Sequence, residues 1–249
     1  MNALALTSAS RATDAGWLAA ADIASVAARM GATYRLVGGL AVTLLVHHHG
    51  ANGLAPPRET ADADMGVPFD VCGDEQLVPA LRAAGYSQTE GNRFVREDGD
   101  RELVIDVLAP SYVGRLVTNQ PHGDLVVDEI PGLHVALLEP ATEVSITARL
   151  TDGTEISTAL LLPDVAAALV MKAHAYQGRL AAADAVDIHR LLEAANLAGR
   201  TTRDWPDRRE ARDAARMLHA LLGSTRRDRH LGSAGPRARL LVRRVVPEL

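Results

Sequence analysis

Three aspartates in or beside short apolar stretches could form one cluster. Asp62 and Asp64 flank a single alanine, and Asp106 lies inside the apolar run 103–108. Because side chains alternate across a β-strand, Asp62 and Asp64 would lie on the same face of a sheet. If the strand that carries Asp106 pairs beside them, the three carboxylates meet, and a cation is needed to relieve their repulsion.

The chemistry that such a cluster supports is phosphoryl or nucleotidyl transfer. Carboxylate oxygens suit Mg²⁺, and two such ions roughly 4 Å apart stabilise the attacking and leaving oxygens of an in-line displacement. The pattern therefore predicts Asp62, Asp64 and Asp106 as Mg²⁺ ligands and catalytic residues. Asp106 is also a candidate for accepting the proton of the attacking hydroxyl.

A glycine pair supplies a candidate phosphate site. Gly38 and Gly39 lie between an apolar run, 34–37, that predicts a strand and an apolar run, 40–47, that predicts a helix. Without a Cβ the backbone can approach a phosphate closely, and the N–H groups at a helix start favour an anion. The same dipeptide occurs in many ordinary turns. The order of strand, Gly-Gly, helix, loop and Asp-x-Asp strand favours the functional interpretation.

Lys172 is the single lysine among the 26 basic side chains. A compact ammonium in a chain that otherwise uses arginine suits a triphosphate; the alternative is a surface lysine without a function. In the predicted helix 164–177 and its continuation, Lys172 and Arg179 share a face. The next predicted helix places Asp184 and Asp187 about one turn apart.

Length and composition predict a globular protein of two parts. The chain has 249 residues, 47% of them hydrophobic, and one cysteine, which excludes a disulfide framework and a cysteine-based zinc site. No apolar run reaches the length of about 20 residues that spans a membrane, and the start does not resemble a signal peptide. We therefore expect a cytoplasmic protein without a membrane partner.

The periodicity predicts an α+β fold. Helices are expected at 13–30 and 76–84, and strands between 94 and 162, one of them at 135–138. Helices follow Pro163 almost throughout. The predicted division is an α/β core at 1–162 and a helical domain at 163–249.

The signature residues resemble a known family. The run 36–42 and the segment Arg58-Glu59-Thr60-Ala61-Asp62-Ala63-Asp64-Met65 resemble the Gly-Gly and Arg-x-Thr-x-Asp-x-Asp motifs of the AbiEii family. That family includes the MenT-type toxins and belongs to the DNA polymerase β-like nucleotidyltransferase superfamily. The later residues Lys172, Arg179 and Asp184-x-x-Asp187 are similar to its third motif, so the resemblance covers residues 33 to 195 in three blocks.

The resemblance implies a fold and a set of roles. The fold would be a polymerase β-like core with a mixed sheet followed by a helical subdomain. Asp62 and Asp64 would bind Mg²⁺, Lys172 would contact the NTP phosphates, and Asp187 would be a further essential carboxylate. Residues implied around the nucleotide are Gly38, Gly39, Arg58, Thr60 and Arg179. Two positions depart from the family: Leu40 replaces a Ser or Thr, and Ala183 replaces a Lys.

The implied activity is transfer of a nucleoside monophosphate from an NTP to an acceptor. In the MenT-type toxins the acceptor is the 3′ end of tRNA, and an antitoxin protein relieves the block of translation. Residues 200–249 carry 13 Arg against 6 acidic residues, which suits an RNA acceptor or, equally, a salt-bridged helical surface. Two alternatives stay open: an antibiotic-type transferase acting on a small molecule, and a degenerate fold that only binds a nucleotide or a protein.

Overall fold

The computed structural model describes residues 3–54, 59–222 and 230–249. Within these ranges the chain forms ten strands and nine α-helices. In chain order they are β1 (Leu4–Thr7), α1 (Arg11–Met30), β2 (Arg35–Val37), α2 (Gly38–His48), β3 (Asp62–Gly66), α3 (Phe69–Cys72), α4 (Leu77–Ala83), β4 (Ser87–Gln88), β5 (Arg93–Asp98), β6 (Arg101–Ser111), β7 (Val117–His122), β8 (Leu125–Pro131), α5 (Leu133–Leu138), β9 (Thr142–Arg149), β10 (Glu155–Leu162), α6 (Val165–Arg179), α7 (Ala182–Leu197), α8 (Arg209–Leu222) and α9 (Gly235–Val245).

The larger sheet is mixed. Its strands run in the order β2-β3-β6-β5-β4, and β8 pairs with both β6 and β7. The β3–β6 and β6–β8 pairs are parallel, whereas β2–β3, β5–β6 and β7–β8 are antiparallel. The helices and mixed sheet confirm the α+β class predicted from the sequence.

Strand β6 lies at the centre of this sheet and separates core from cleft. Leu103, Ile105 and Val107 are fully buried on the face that packs towards α1. Asp106 alternates with them and lies on the opposite face. The apolar face stabilises the strand, and the other face is left available for polar chemistry.

One predicted strand is wrong. Residues 135–138 belong to helix α5, which begins at Leu133 after Gly132 adopts a left-handed conformation with φ of 82°. Leu133 and Ala136 are fully buried and lie one helical turn apart. A run of four apolar residues has too little periodicity to separate a strand from a helix, so only packing decided its conformation.

The smaller sheet, β1-β9-β10, packs beside α1 and leads into the C-terminal helices. Strand β10 ends at Leu162, and α6 begins at Val165 after Asp164, whose carboxylate accepts a hydrogen bond of 2.9 Å from the Ala166 N–H. Helix α7 packs on both α6 and α2. The division into domains 1–162 and 163–249 stays a prediction. None of the helices in the described ranges is long and apolar enough to cross a membrane.

Candidate active site

The structure brings the three predicted aspartates together. Parallel pairing of β3 and β6 sets Asp64 directly opposite Asp106, and Asp62 lies two residues earlier on the same face of β3. Carboxylate oxygens of all three lie within 4.8 Å of one another. Asp106 is 8% exposed, so at least one of these charges is taken largely out of water.

Asp64 experiences the strongest electrostatic perturbation in the cluster. Burial, followed by the neighbouring charges of Asp62 and Asp106, raises the pKa of its carboxyl to about 7. Lys172 and Arg179 act in the opposite direction and lower that pKa. A carboxylate in this position binds a proton or a cation more readily than an exposed one.

Arg93 is a site residue that the sequence interpretation missed. Its Nε and Nη2 atoms donate to Oδ1 and Oδ2 of Asp106 at 2.9 and 2.8 Å, and its side chain lines the same cleft. Such a two-point contact fixes the orientation of the carboxylate. The hairpin loop Gly99-Asp100 could have revealed it, because pairing counted outwards from that turn sets Arg93 opposite Asp106.

The first glycine of the pair lies against the aspartate cluster. Gly38 has φ of 74°, a conformation that side chains disfavour, and it is the first residue of α2. A Cβ at this position would overlap the carboxylate of Asp64. Gly38, Gly39 and the aspartates therefore line one cleft, with the start of a helix on one side and carboxylates on the other.

We expect Gly38→Ala to displace Asp64 and to reduce any Mg²⁺-dependent transfer by about 100-fold, since displacements near 1 Å have effects of this size. Gly50→Ala is the matched control, because Gly50 also has a left-handed φ, of 72°, but its added Cβ meets nothing within 4 Å. Thermal melts with and without Mg²⁺ would report metal binding independently of turnover. Equal losses in both variants would show that backbone strain, and not the Asp64 contact, is responsible.

Lys172 and Arg179 lie on the cleft but already have partners. The Lys172 ammonium lies 2.8 Å from Asp187 and 3.3 Å from Asp184. Arg179 donates to both oxygens of Asp184 at 2.6 and 2.8 Å. Asp184 is thus the carboxylate shared by both cations.

Asp187 is fully buried beneath Lys172. Its second oxygen lies 3.5 Å from Arg190, which donates to the hydroxyl of Thr43 on helix α2 at 3.1 Å. This series of contacts connects α6, α7 and the helix that begins with the glycine pair. Asp187 is therefore placed to hold Lys172 against the cleft.

Two predicted residues, Arg58 and Thr60, precede β3 in the sequence. Thr60 lines the cleft, and its hydroxyl is buried without a hydrogen-bond partner among the described residues. Arg58 lies outside the described residues. The cleft has a volume of about 720 Å³, which is sufficient for a nucleoside triphosphate with part of an acceptor.

Comparisons with known proteins place the fold. No family model matches the sequence, and no curated protein matches it. The crystal structure of an antigenic nucleotidyltransferase-like protein from Paracoccidioides brasiliensis is 17% identical, with 97% of this chain and 96% of that one covered and a TM-score of 0.51. The chain has a nucleotidyltransferase-like fold. The solution structure of the antibiotic-resistance factor ANT(2'')-Ia is 14% identical, with 93% and 90% covered and a TM-score of 0.39.

The nucleotidyltransferase-like fold agrees with the superfamily that the sequence motifs resemble. Assignment to the AbiEii branch, and the roles of the individual site residues, remain predictions.

Proposed function

We propose that this protein is a Mg²⁺-dependent nucleotidyltransferase that moves a nucleoside monophosphate from an NTP to an acceptor. The observation that carries the proposal is the meeting of Asp62, Asp64 and Asp106 within 4.8 Å opposite the Gly38–Gly39 helix start. A nucleotidyltransferase-like fold makes this placement more informative than the same cluster on an arbitrary surface.

The donor set fits a hard divalent cation. All three side chains offer carboxylate oxygens, and the pKa of Asp64 is raised first by burial and then by the negative charges of Asp62 and Asp106, which a cation would offset. Bound there, Mg²⁺ would neutralise charge on the NTP phosphates and lower the pKa of the attacking hydroxyl.

The chain's own residues would orient the substrate. Backbone N–H groups of Gly38 and Gly39 would donate to phosphate oxygens, and the Thr60 hydroxyl is a further donor on the same side. Lys172 and Arg179 would place positive charge near the triphosphate. Arg93 would hold the carboxylate of Asp106, our candidate acceptor of the hydroxyl proton.

We further propose that the acceptor is an RNA 3′ end, with tRNA as the leading case. The proposed biological role is that of a cytoplasmic toxin that an antitoxin neutralises. The support is the resemblance of three motif blocks to the AbiEii family. The basic C-terminal region gives less support than its composition suggests. Many of its arginines form ion pairs with acidic side chains, among them Arg200–Asp164, Arg208–Glu139, Arg212–Asp207, Arg216–Asp213 and Arg237–Glu193.

A small cationic acceptor, as in antibiotic nucleotidyltransferases, is the second candidate. Glu90 and Asp128 line the cleft in addition to the three clustered aspartates. Carboxylates in an acceptor pocket would attract amino groups. The two candidates differ in the charge of the acceptor, so one assay can separate them.

The proposal is tested by incubating the protein with each α-³²P-labelled NTP, Mg²⁺ and either total RNA or a panel of aminoglycosides. We expect label on RNA from wild type, and a loss of at least about 100-fold in Asp62→Asn. Glu75→Gln, a change at an exposed acidic residue outside the cleft, is the control and should transfer label normally. Label on an aminoglycoside would favour the second candidate, and no labelled acceptor with any NTP would contradict both.

A further inference from the structure

Arg115 differs from the other cations of the cleft. Among the described residues, four Arg or Lys side chains line it, and three of them, Arg93, Lys172 and Arg179, form ion pairs with carboxylates. Arg115 is exposed, and within the described ranges its guanidinium forms no hydrogen bond or ion pair. A cation kept unpaired in a cleft suits an anionic ligand and disfavours a cationic one.

Tyr112, three residues earlier, differs from the other tyrosines of the chain. Tyr34, Tyr86 and Tyr176 are at most 4% exposed, and each hydroxyl forms a hydrogen bond inside the protein. Tyr112 is 51% exposed. In a chain with 3% aromatic residues, a ring left open to solvent beside a cleft is a candidate stacking surface.

The ring of Tyr112 packs against two other rings. Its centroid lies 5.3 Å from that of Phe69 and 4.7 Å from that of His134, with interplanar angles of 66° and 60°. His122 stacks on Phe69 at 4.6 Å and 28°, so the support comes from three elements, α3, β7 and α5. The ring is thus oriented before any ligand binds, which reduces the entropy lost on binding.

The loop that carries both residues, 112–116, is also anchored. The buried hydroxyl of Ser111 donates to the carbonyl of Arg115 at 2.6 Å, and Gly114 adopts a left-handed turn with φ of 71°. Gly114, Arg115 and Leu116 line the cleft, and Leu116 is 50% exposed. We call this segment the acceptor loop.

The position of the acceptor loop indicates an extended ligand. Asp106 and Tyr112 are six residues apart, and β6 ends at Ser111, so at about 3.3 Å per extended residue their Cα atoms lie at most about 20 Å apart. A single strand of several nucleotides can lie from the aspartate cluster to Tyr112.

We propose that the acceptor loop binds a single-stranded RNA end, with a base stacked on Tyr112 and a backbone phosphate paired with Arg115. The inference rests on the proposed function, because it names how the acceptor of that reaction is held. Stacking on one aromatic ring combined with one cationic contact does not require a particular base. The loop would hold the strand, and the terminal hydroxyl would reach the aspartate cluster.

Binding of RNA in the absence of NTP tests this proposal. The affinity of a fluorescein-labelled, unstructured 12-nucleotide RNA would be measured by anisotropy. We expect Tyr112→Ala to weaken binding about 5- to 150-fold, the range of a lost base–aromatic stack, and Tyr112→Phe to retain it. Arg115→Gln should weaken binding and reduce the slope of log K against log salt by about 1.

Two controls separate the acceptor loop from other sites. Arg243→Gln removes an exposed arginine of helix α9, outside the cleft, and should leave the affinity unchanged. The affinity for a fluorescent ATP analogue should be the same in Tyr112→Ala as in wild type. The proposal would be overturned if Tyr112→Ala and Arg115→Gln left the RNA affinity unchanged, or if Arg243→Gln reduced it equally. It would also be overturned if Tyr112→Ala lost nucleotide binding. The binding assay needs no NTP turnover. If RNA binding depended on the acceptor loop but no transfer were detected, the proposed nucleotidyl transfer would be refuted, and the proposed role of the loop would stand.

Discussion

Asp64→Asn is expected to abolish nucleotidyl transfer and to stabilise the metal-free protein. The amide cannot carry the negative charge that a cation requires, so transfer should fall by at least about 1,000-fold. It also removes one of three crowded charges. The free energy of unfolding at pH 8 without Mg²⁺ should therefore rise, by on the order of 1–3 kcal/mol.

The direction in which stability changes with pH follows from the raised pKa of Asp64. An aspartate in the unfolded chain has a pKa of about 3.9, and that of Asp64 in the fold is raised to about 7. The folded protein therefore holds a proton that the unfolded chain has lost, and its stability should fall as pH rises from about 4 to about 7. Asp64→Asn should lack this fall. Saturating Mg²⁺ should offset it in wild type.

Urea denaturation across this pH range, with and without Mg²⁺, measures the effect. Glu75→Gln removes an exposed carboxylate outside the cleft and should follow the wild-type profile. An Asp64→Asn protein that is less stable than wild type at pH 8 without metal would contradict the electrostatic account of the cluster. Retained transfer activity in that variant would contradict the assignment of Asp64 as a ligand.

Asp187→Ala is expected to destabilise the fold by about 3–5 kcal/mol. The substitution removes a fully buried carboxylate that lies within ion-pair distance of Lys172 and Arg190, and loss of one partner leaves a buried charge uncompensated. Transfer should also fall, because Lys172 loses the contact that holds it against the cleft. The effect on transfer would then be indirect, through the position of the ammonium.

The midpoint of urea denaturation and a double-mutant cycle test this assignment. Asp213→Ala breaks exposed ion pairs with Arg209 and Arg216 and should cost less than about 1 kcal/mol. Asp187→Leu combined with Lys172→Met should destabilise less than the sum of the single changes. If Asp187→Ala kept full stability and lost transfer, Asp187 would have to act directly on the substrate.

Local rules were sufficient for several parts of the site. The period of two along a strand places Asp62 and Asp64 on one face, and the absence of a Cβ explains a glycine at position 38. A charged residue within an apolar strand needs a partner, which made Asp106 conspicuous. The mixed α+β fold also followed from periodicity and turn residues, and the structure confirms it.

These local rules could not predict how segments that are distant in the sequence pair. The parallel register that sets Asp64 beside Asp106 joins residues 42 positions apart, and no local pattern specifies it. The contact of Arg93 with Asp106 is different, because it lies within a hairpin whose two-residue loop could have indicated the register. The apolar run 135–138 became helical because α5 packs against α6 and β6.

By itself, then, the sequence determined which residue types stand at the site and which face of a strand or turn they occupy, because those are properties of short segments. Tertiary structure alone decided which charges meet. It paired Lys172 and Arg179 with Asp184, buried Asp187, and left Arg115 without an ion pair to any described residue, beside an exposed Tyr112. The energy of a charge depends on its distance to other charges and to water, and those distances exist only after the chain has folded.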